Sequence, residues 1–90
     1  MKTLTAPVYA KALRTLDLLE QNGPDLGMPF SKPLGDGLFE LRVRSGQEIR
    51  IFYVFHTHRE IFLLHAFQKK TQQTPKNELE IARKRRGQLT

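Results

Sequence analysis

The chain has 90 residues and a mass near 10.5 kDa, 39% hydrophobic and 27% charged, with eight aromatics and a formal net charge of +6. That is room for a single small domain over residues 1–90 with one modest core, and it is too apolar and aromatic for intrinsic disorder. The lack of cysteine excludes a disulfide framework, a thiolate metal site and a cysteine nucleophile; no apolar run approaches the roughly 20 residues of a membrane span and the N-terminus shows no signal-peptide core, so a cytoplasmic domain is expected.

Residues 6–21, APVYAKALRTLDLLEQ, read as the first helix. Thr5 is placed to cap it, Pro7 falls in the first turn where a missing N–H costs nothing, and Asn22-Gly23-Pro24 stops it. Tyr9, Ala12, Leu13, Leu16 and Leu19 recur at helical spacing and are expected to pack on the rest of the domain. Residues 22–37 hold three of the five prolines and four of the six glycines. They read as a long irregular connection with a wrapping or functional role.

Residues 38–68 read as an antiparallel meander: LFELRVR, IRIFYVFH and EIFLLHAFQ, broken at Ser45-Gly46-Gln47 and Thr57-His58-Arg59. Phe39, Leu41 and Val43 alternate with Glu40, Arg42 and Arg44; Ile49, Ile51, Tyr53 and Phe55 alternate with Arg50, Phe52, Val54 and His56. Pairing Val43 with Ile51, Leu41 with Tyr53 and Phe39 with Phe55 joins the apolar stripes into one core face. That register sets Arg44 against Arg50 and Arg42 against Phe52. Two like charges side by side cost energy unless an anion sits between them. The third strand, residues 60–67, is apolar on both faces, as a central or covered strand would be. Thr74 as cap, Pro75 at the first position and Gly87 past the end then frame a helix from about 75 to 86, with Leu79, Ile81 and Ala82 as its apolar face. The expected fold is α+β, with an N-terminal helical segment packed on a small twisted antiparallel sheet of three or four strands and a C-terminal helix.

Charge is unevenly spread. Residues 1–64 hold eight Lys and Arg against seven acids, whereas residues 65–90 hold seven against two. Lys69, Lys70, Lys76, Arg83, Lys84, Arg85 and Arg86 make a patch suited to a polyanion, since each phosphate neutralised releases counterions. A merely solvated face is the plain alternative. The three histidines, His56, His58 and His65, lack ligand spacing, and no phosphate-binding glycine motif or nucleophile elbow occurs. No metal or cofactor is expected. What remains is a group of cations, Arg42, Arg44, Arg50, Lys69 and Lys70, with Phe52, Tyr53 and His65 nearby. RNA cleavage by its own 2′-hydroxyl needs a phosphate held in line, charge stabilisation and a proton carrier, but no metal. Arginine suits the phosphate, and a lysine flanked by cations can act as base. Catalysis, simple nucleic-acid binding and a solvated sheet edge all remain open on these residues alone. Arg50 is the strongest single candidate for phosphate stabilisation, because the deduced register gives it no acid opposite.

The run from Gly23 to Arg42, GPDLGMPFSKPLGDGLFELR, resembles the HigB-like, phage-derived Gp49-like branch of the RelE/ParE toxin superfamily. So do the Arg50-Ile51-Phe52-Tyr53 strand and the tail from Leu64 to Pro75, LHAFQKKTQQTP. The resemblance spans roughly residues 10–88. It implies a RelE-like fold and the toxin of a type II toxin–antitoxin system, a metal-independent mRNA endoribonuclease (mRNA interferase) that acts on the ribosome. It also implies a cognate antitoxin, commonly a helix-turn-helix, HigA-like protein, expected to cover the basic face or lock the segment carrying it. Carried over by position, the catalytic set is Arg50, Arg42, Lys69, Lys70 and His65. Arg44, Lys32, Lys76, Arg83, Lys84, Arg85 and Arg86 are the RNA-binding set. RelE has a tyrosine after the last strand; here that stretch is Gln72-Gln73-Thr74-Pro75, and His65 or a lysine is left to move protons. Family members usually begin with a strand and a helix, so Met1–Thr5 is expected to be a strand remnant, or one helix of the pair to be absent. A non-catalytic toxin-fold module that binds RNA or a partner, and a ParE-like gyrase inhibitor, are the alternatives on the same scaffold.

Overall fold

A computed structural model describes residues 5–56, 60–70 and 75–89. Helix α1 runs over Ala6–Asn22, followed by a 3₁₀ turn at Gly23–Asp25. Strands β1 (Ser31–Gly35), β2 (Leu38–Arg44), β3 (Glu48–Phe55) and β4 (Ile61–Gln68) form one antiparallel sheet in the order β1-β2-β3-β4, and helix α2 covers Lys76–Gly87. The expected α+β architecture is present. No helix among the described residues is long and apolar enough to cross a membrane.

Five local expectations are corrected. Thr5 stands at the N-cap of α1, yet its side chain makes no capping bond. The helix is also turned from its expected face: Val8, Ala12, Thr15 and Leu19 are buried, while Tyr9 and Leu13 are exposed. The Gly/Pro-rich connection contains a strand, β1, because Pro33 lies on an outer strand where no ladder donor is lost. And β4, expected to be central or covered, is the other outer strand, covered by α2 on one face at Leu64 and Phe67 and open on the other at Leu63 and Ala66. The inner strands are β2 and β3, and β3 is buried on both faces from Ile49 to Val54. In the C-terminal helix Pro75 is the N-cap and the first helical residue is Lys76. The expected cap at Thr74 and the Met1–Thr5 strand lie outside the described residues, save Thr5.

The sheet separates two clusters. Leu41, Val43, Ile49, Ile51 and Tyr53 face α1 and pack with Val8, Ala12 and Leu19. Leu38, Phe52, Val54, Leu64 and Phe67 face α2 and pack on Ala82. The Tyr53 hydroxyl is hydrogen-bonded to the buried Ser31 hydroxyl, and burial raises its pKa above the ordinary value while that bond opposes the rise. Between β3 and β4 the register slips beside Phe52 and Tyr53, which leaves Leu64 as an extra residue between Leu63 and His65. Arg85 on α2 donates to the Leu64 carbonyl at 2.9 Å.

The β2–β3 register differs from the expected one by two residues. Leu41 pairs with Ile51, Val43 with Ile49 and Phe39 with Tyr53. A slip of two keeps each side chain on its face, so the apolar pattern cannot detect it. The turn decides instead: a three-residue loop, Ser45–Gln47, closes tightly because Gly46 takes a φ of 79° that a side chain would oppose.

Candidate nucleic-acid interface

The shifted register rebuilds the charged part of the α2-side face. Arg42, not Arg44, stands opposite Arg50, while Arg44 pairs with Glu48 and Glu40 with Phe52. The anion that two adjacent guanidinium groups require is Glu40. Its Oε1 lies 3.3 Å from Arg42 Nε and 3.5 Å from Arg50 Nε. On the other side Arg50 Nη2 donates to Glu48 Oε1 at 2.8 Å, and the same oxygen is 3.5 Å from Arg44 Nε. Arg42, Glu40, Arg50, Glu48 and Arg44 thus form one chain of alternating sign. The expectation that Arg50 has no acid near it is corrected: two acids hold it.

Burial grades along this chain. The side chains of Glu40 and Arg50 are 1% and 3% exposed, that of Arg42 17%, and those of Glu48 and Arg44 46% and 60%. Arg50 therefore lies beneath the surface that Arg42 and Arg44 present. The hydrogen bond from Arg50 is the main cause that holds the Glu48 carboxyl below the usual carboxylate range. The Arg50, Arg44 and Lys69 charges add to this, and partial burial opposes it. Lys69 arrives beside Glu48 because its backbone N–H donates to the Glu48 carbonyl at 2.7 Å. Lys70 follows it, exposed.

His65 stands opposite Phe52, one pleat (about 7 Å) from the Arg50 row. Its Nε2 is 2.6 Å from Glu78 Oε1 and its Nδ1 is 3.2 Å from Arg85 Nη1. Arginine can only donate, so Nδ1 accepts and Nε2 carries the hydrogen given to Glu78. Both ring nitrogens are engaged. The His65 ring also stacks on Phe67, with centroids 5.8 Å apart. His65 and Arg85 thus tie α2 to β4.

The structure brings Arg42, Arg44, Arg50 and Lys69 together, with Lys70 next in the chain. Lys32 is exposed on β1 opposite Glu40, at the margin of this row, while Lys76, Arg83 and Lys84 are exposed on α2. Arg86 lies over the β1–β2 turn, where a Cβ on Gly37 would come within 3.0 Å of its Nη2. Sequence reasoning missed Glu40, Glu48 and Glu78. A signal for the first two was present as a repeated pattern, Glu40-Leu41-Arg42 and Glu48-Ile49-Arg50, which puts an acid two residues before each arginine on the same face.

The guanidinium groups on this face are held in place by carboxylates, with Arg44 and Glu48 the most exposed members of the row. The family model of the phage-derived protein Gp49-like matches residues 1–87. No curated protein matches the chain. Toxins of this type work against an antitoxin partner in general. With residues 1–87 matched and an α+β fold in place, the chain belongs to the Gp49-like phage-derived protein family, the family of HigB-like toxins in the RelE/ParE superfamily.

Proposed function

We propose that the chain is a ribosome-dependent mRNA endoribonuclease, the toxin of a type II system neutralised by a HigA-like antitoxin. One observation supports this most: the Glu48 carboxylate, nearly half exposed, sits on Arg50 Nη2 and near Arg44 Nε, where a phosphate would find the same donors. In this reading the scissile phosphate replaces that carboxylate. It is then held by Arg50 from beneath and by Arg42 and Arg44 at the surface. The 2′-oxygen attacks phosphorus, its proton passes to a base, the 5′-oxygen leaves with a proton, and a 2′,3′-cyclic phosphate remains. Arginines placed on the non-bridging oxygens stabilise the charge that builds up there. Lys69 and Lys70 are the proton-transfer candidates, since both nitrogens of His65 are engaged. Lys32, Lys76, Arg83, Lys84, Arg85 and Arg86 add a salt-sensitive attraction for RNA.

Expression in bacteria without a partner should stop growth, and primer extension should reveal new 5′ ends within coding regions. Lys69→Ala should lower cleavage about a hundredfold or more with no change in folding, the usual loss for a positioned acid or base. Intact mRNA together with failed DNA supercoiling would instead support the gyrase-inhibitor alternative. The neutralisation of Arg50 by two acids favours a second reading, a non-catalytic module that binds RNA or a partner. Normal growth with RNA binding retained would select it.

A further inference from the structure

Helix α1 carries two apolar stripes; the sheet buries one and reaches only Leu16 of the other. Val8, Ala12, Thr15 and Leu19 are buried. Tyr9, Leu13 and Leu16 follow at the same spacing on the adjoining side, where Tyr9 is 58% and Leu13 52% exposed. Across from them on the outer strand β4, Leu63 is 51% exposed and Ile61 half-buried. Leu13, Leu16, Ile61 and Leu63 line an open groove of about 710 Å³, together with Arg14, Asp17 and Glu20. By strand alternation this groove lies on the sheet face opposite the cations. Contiguous apolar surface with a polar rim is the mark of an interaction site.

The rim says what fits. Glu20 lies in the last turn of α1 and Asp17 in the turn before it, the end where a helix favours cations, and no basic residue stands in that last turn. None of Arg14, Asp17 and Glu20 takes part in the ion pairs among the described residues, and Asp17 accepts only a Gln21 amide, at 3.2 Å. The helix therefore keeps two unpaired acids, at its own expense, beside exposed leucines on a chain that is +6 overall. With Arg14 beside Asp17 and Glu20 the rim is still net acidic, unlike the cation row on the other face. A helix with an apolar stripe flanked by lysines or arginines matches both the floor and the rim.

We infer that the α1–β4 groove is the docking site for the antitoxin, which enters it with an amphipathic helix whose cations meet Asp17 and Glu20. The inference rests on the toxin reading above and departs from the expectation of a partner laid over the basic face. Docked here, the antitoxin leaves Arg42, Arg44 and Lys69 uncovered.

The probe is a synthetic 16-residue amphipathic peptide with a leucine stripe flanked by lysines, compared with the same peptide carrying glutamates, by fluorescence anisotropy on the full chain. The lysine peptide should bind about tenfold more tightly, and the Asp17→Lys/Glu20→Lys chain should reverse that order. Equal affinities, or an order unchanged by the double substitution, overturn the inference. So does a dimer in sedimentation equilibrium that Leu13→Ser dissociates, since a second copy then fills the groove. In cells that co-express the product of the adjacent gene, Leu13→Ser/Leu63→Ser should keep growth arrest and lose neutralisation. Arrest with neutralisation retained overturns the groove alone. A wild-type chain that never arrests growth removes the toxin reading, and the antitoxin with it.

Discussion

The two faces of the sheet are organised differently although the same strands supply both. Toward α1 the side chains of β2 and β3 are apolar, and Leu41, Val43 and Ile49 are held by area and fit. Toward α2 the apolar part ends at Phe52 and Phe67, and beyond it Glu40 and Arg50 are buried as a charged pair. Water removed from leucine is a direct gain, whereas removing it from a carboxylate and a guanidinium is a cost that their attraction only partly returns. Stability thus accounts for the first face and not for the second. A charged pair kept at that cost, at the bottom of a row that ends in exposed Arg44 and Glu48, is what a binding surface requires.

Breaking the pair is the steepest test of this contrast. Arg50→Ala leaves Glu40 buried with less charge around it and should lose about 3–5 kcal/mol in urea denaturation. Glu40→Leu/Arg50→Met removes both charges and should stay within about 1 kcal/mol of the parent or exceed it, while growth arrest disappears. A double variant as unstable as the single one would make the pair structural. On the α1 side the comparison is between stripes. Leu19→Ala should cost about 2–4 kcal/mol, whereas Leu13→Ala should stay within about 0.5 kcal/mol. Equal losses would mean that the outer stripe is packed in solution.

The smallest effect concerns pH. The folded-state pKa of Glu48 is depressed, so its contribution is present at neutral pH and is lost as pH falls through that lowered value, below the usual carboxylate range. The stability gap between parent and Glu48→Gln should therefore hold from neutral pH to mild acid and close once the pH has fallen below that lowered value. A gap that persisted there would place the effect in hydrogen-bond geometry rather than in charge.

Strand periodicity made β2, β3 and β4 legible from sequence, and Pro7 with Asn22-Gly23 set the limits of α1. The rotation of α1 was not legible, because Leu13 and Leu16 are as apolar as Ala12 and Leu19, and only the sheet selects between the stripes. β1 was hidden by Pro33, which argues against a strand anywhere but at a sheet margin. The site suffered most from the register. Shifting β2 against β3 by two residues exchanged Arg44 for Arg42 as the neighbour of Arg50 and brought Glu40 within reach, with every face unchanged. The cations were found by residue type; the carboxylates that organise them depended on a turn of three residues.

The slip beside Leu64 has a consequence for how copies of the chain meet. A sheet ends in strands whose unused N–H and C=O groups can recruit another chain and begin aggregation. Here β4 is interrupted by its extra residue, and the guanidinium of Arg85 already occupies the Leu64 carbonyl. At the opposite margin, β1 carries Pro33, which has no N–H to offer, and its pairing slips between Pro33 and Gly35. Both margins are thus unsuited to continuous strand addition, and the molecule is left to be recognised through its side chains.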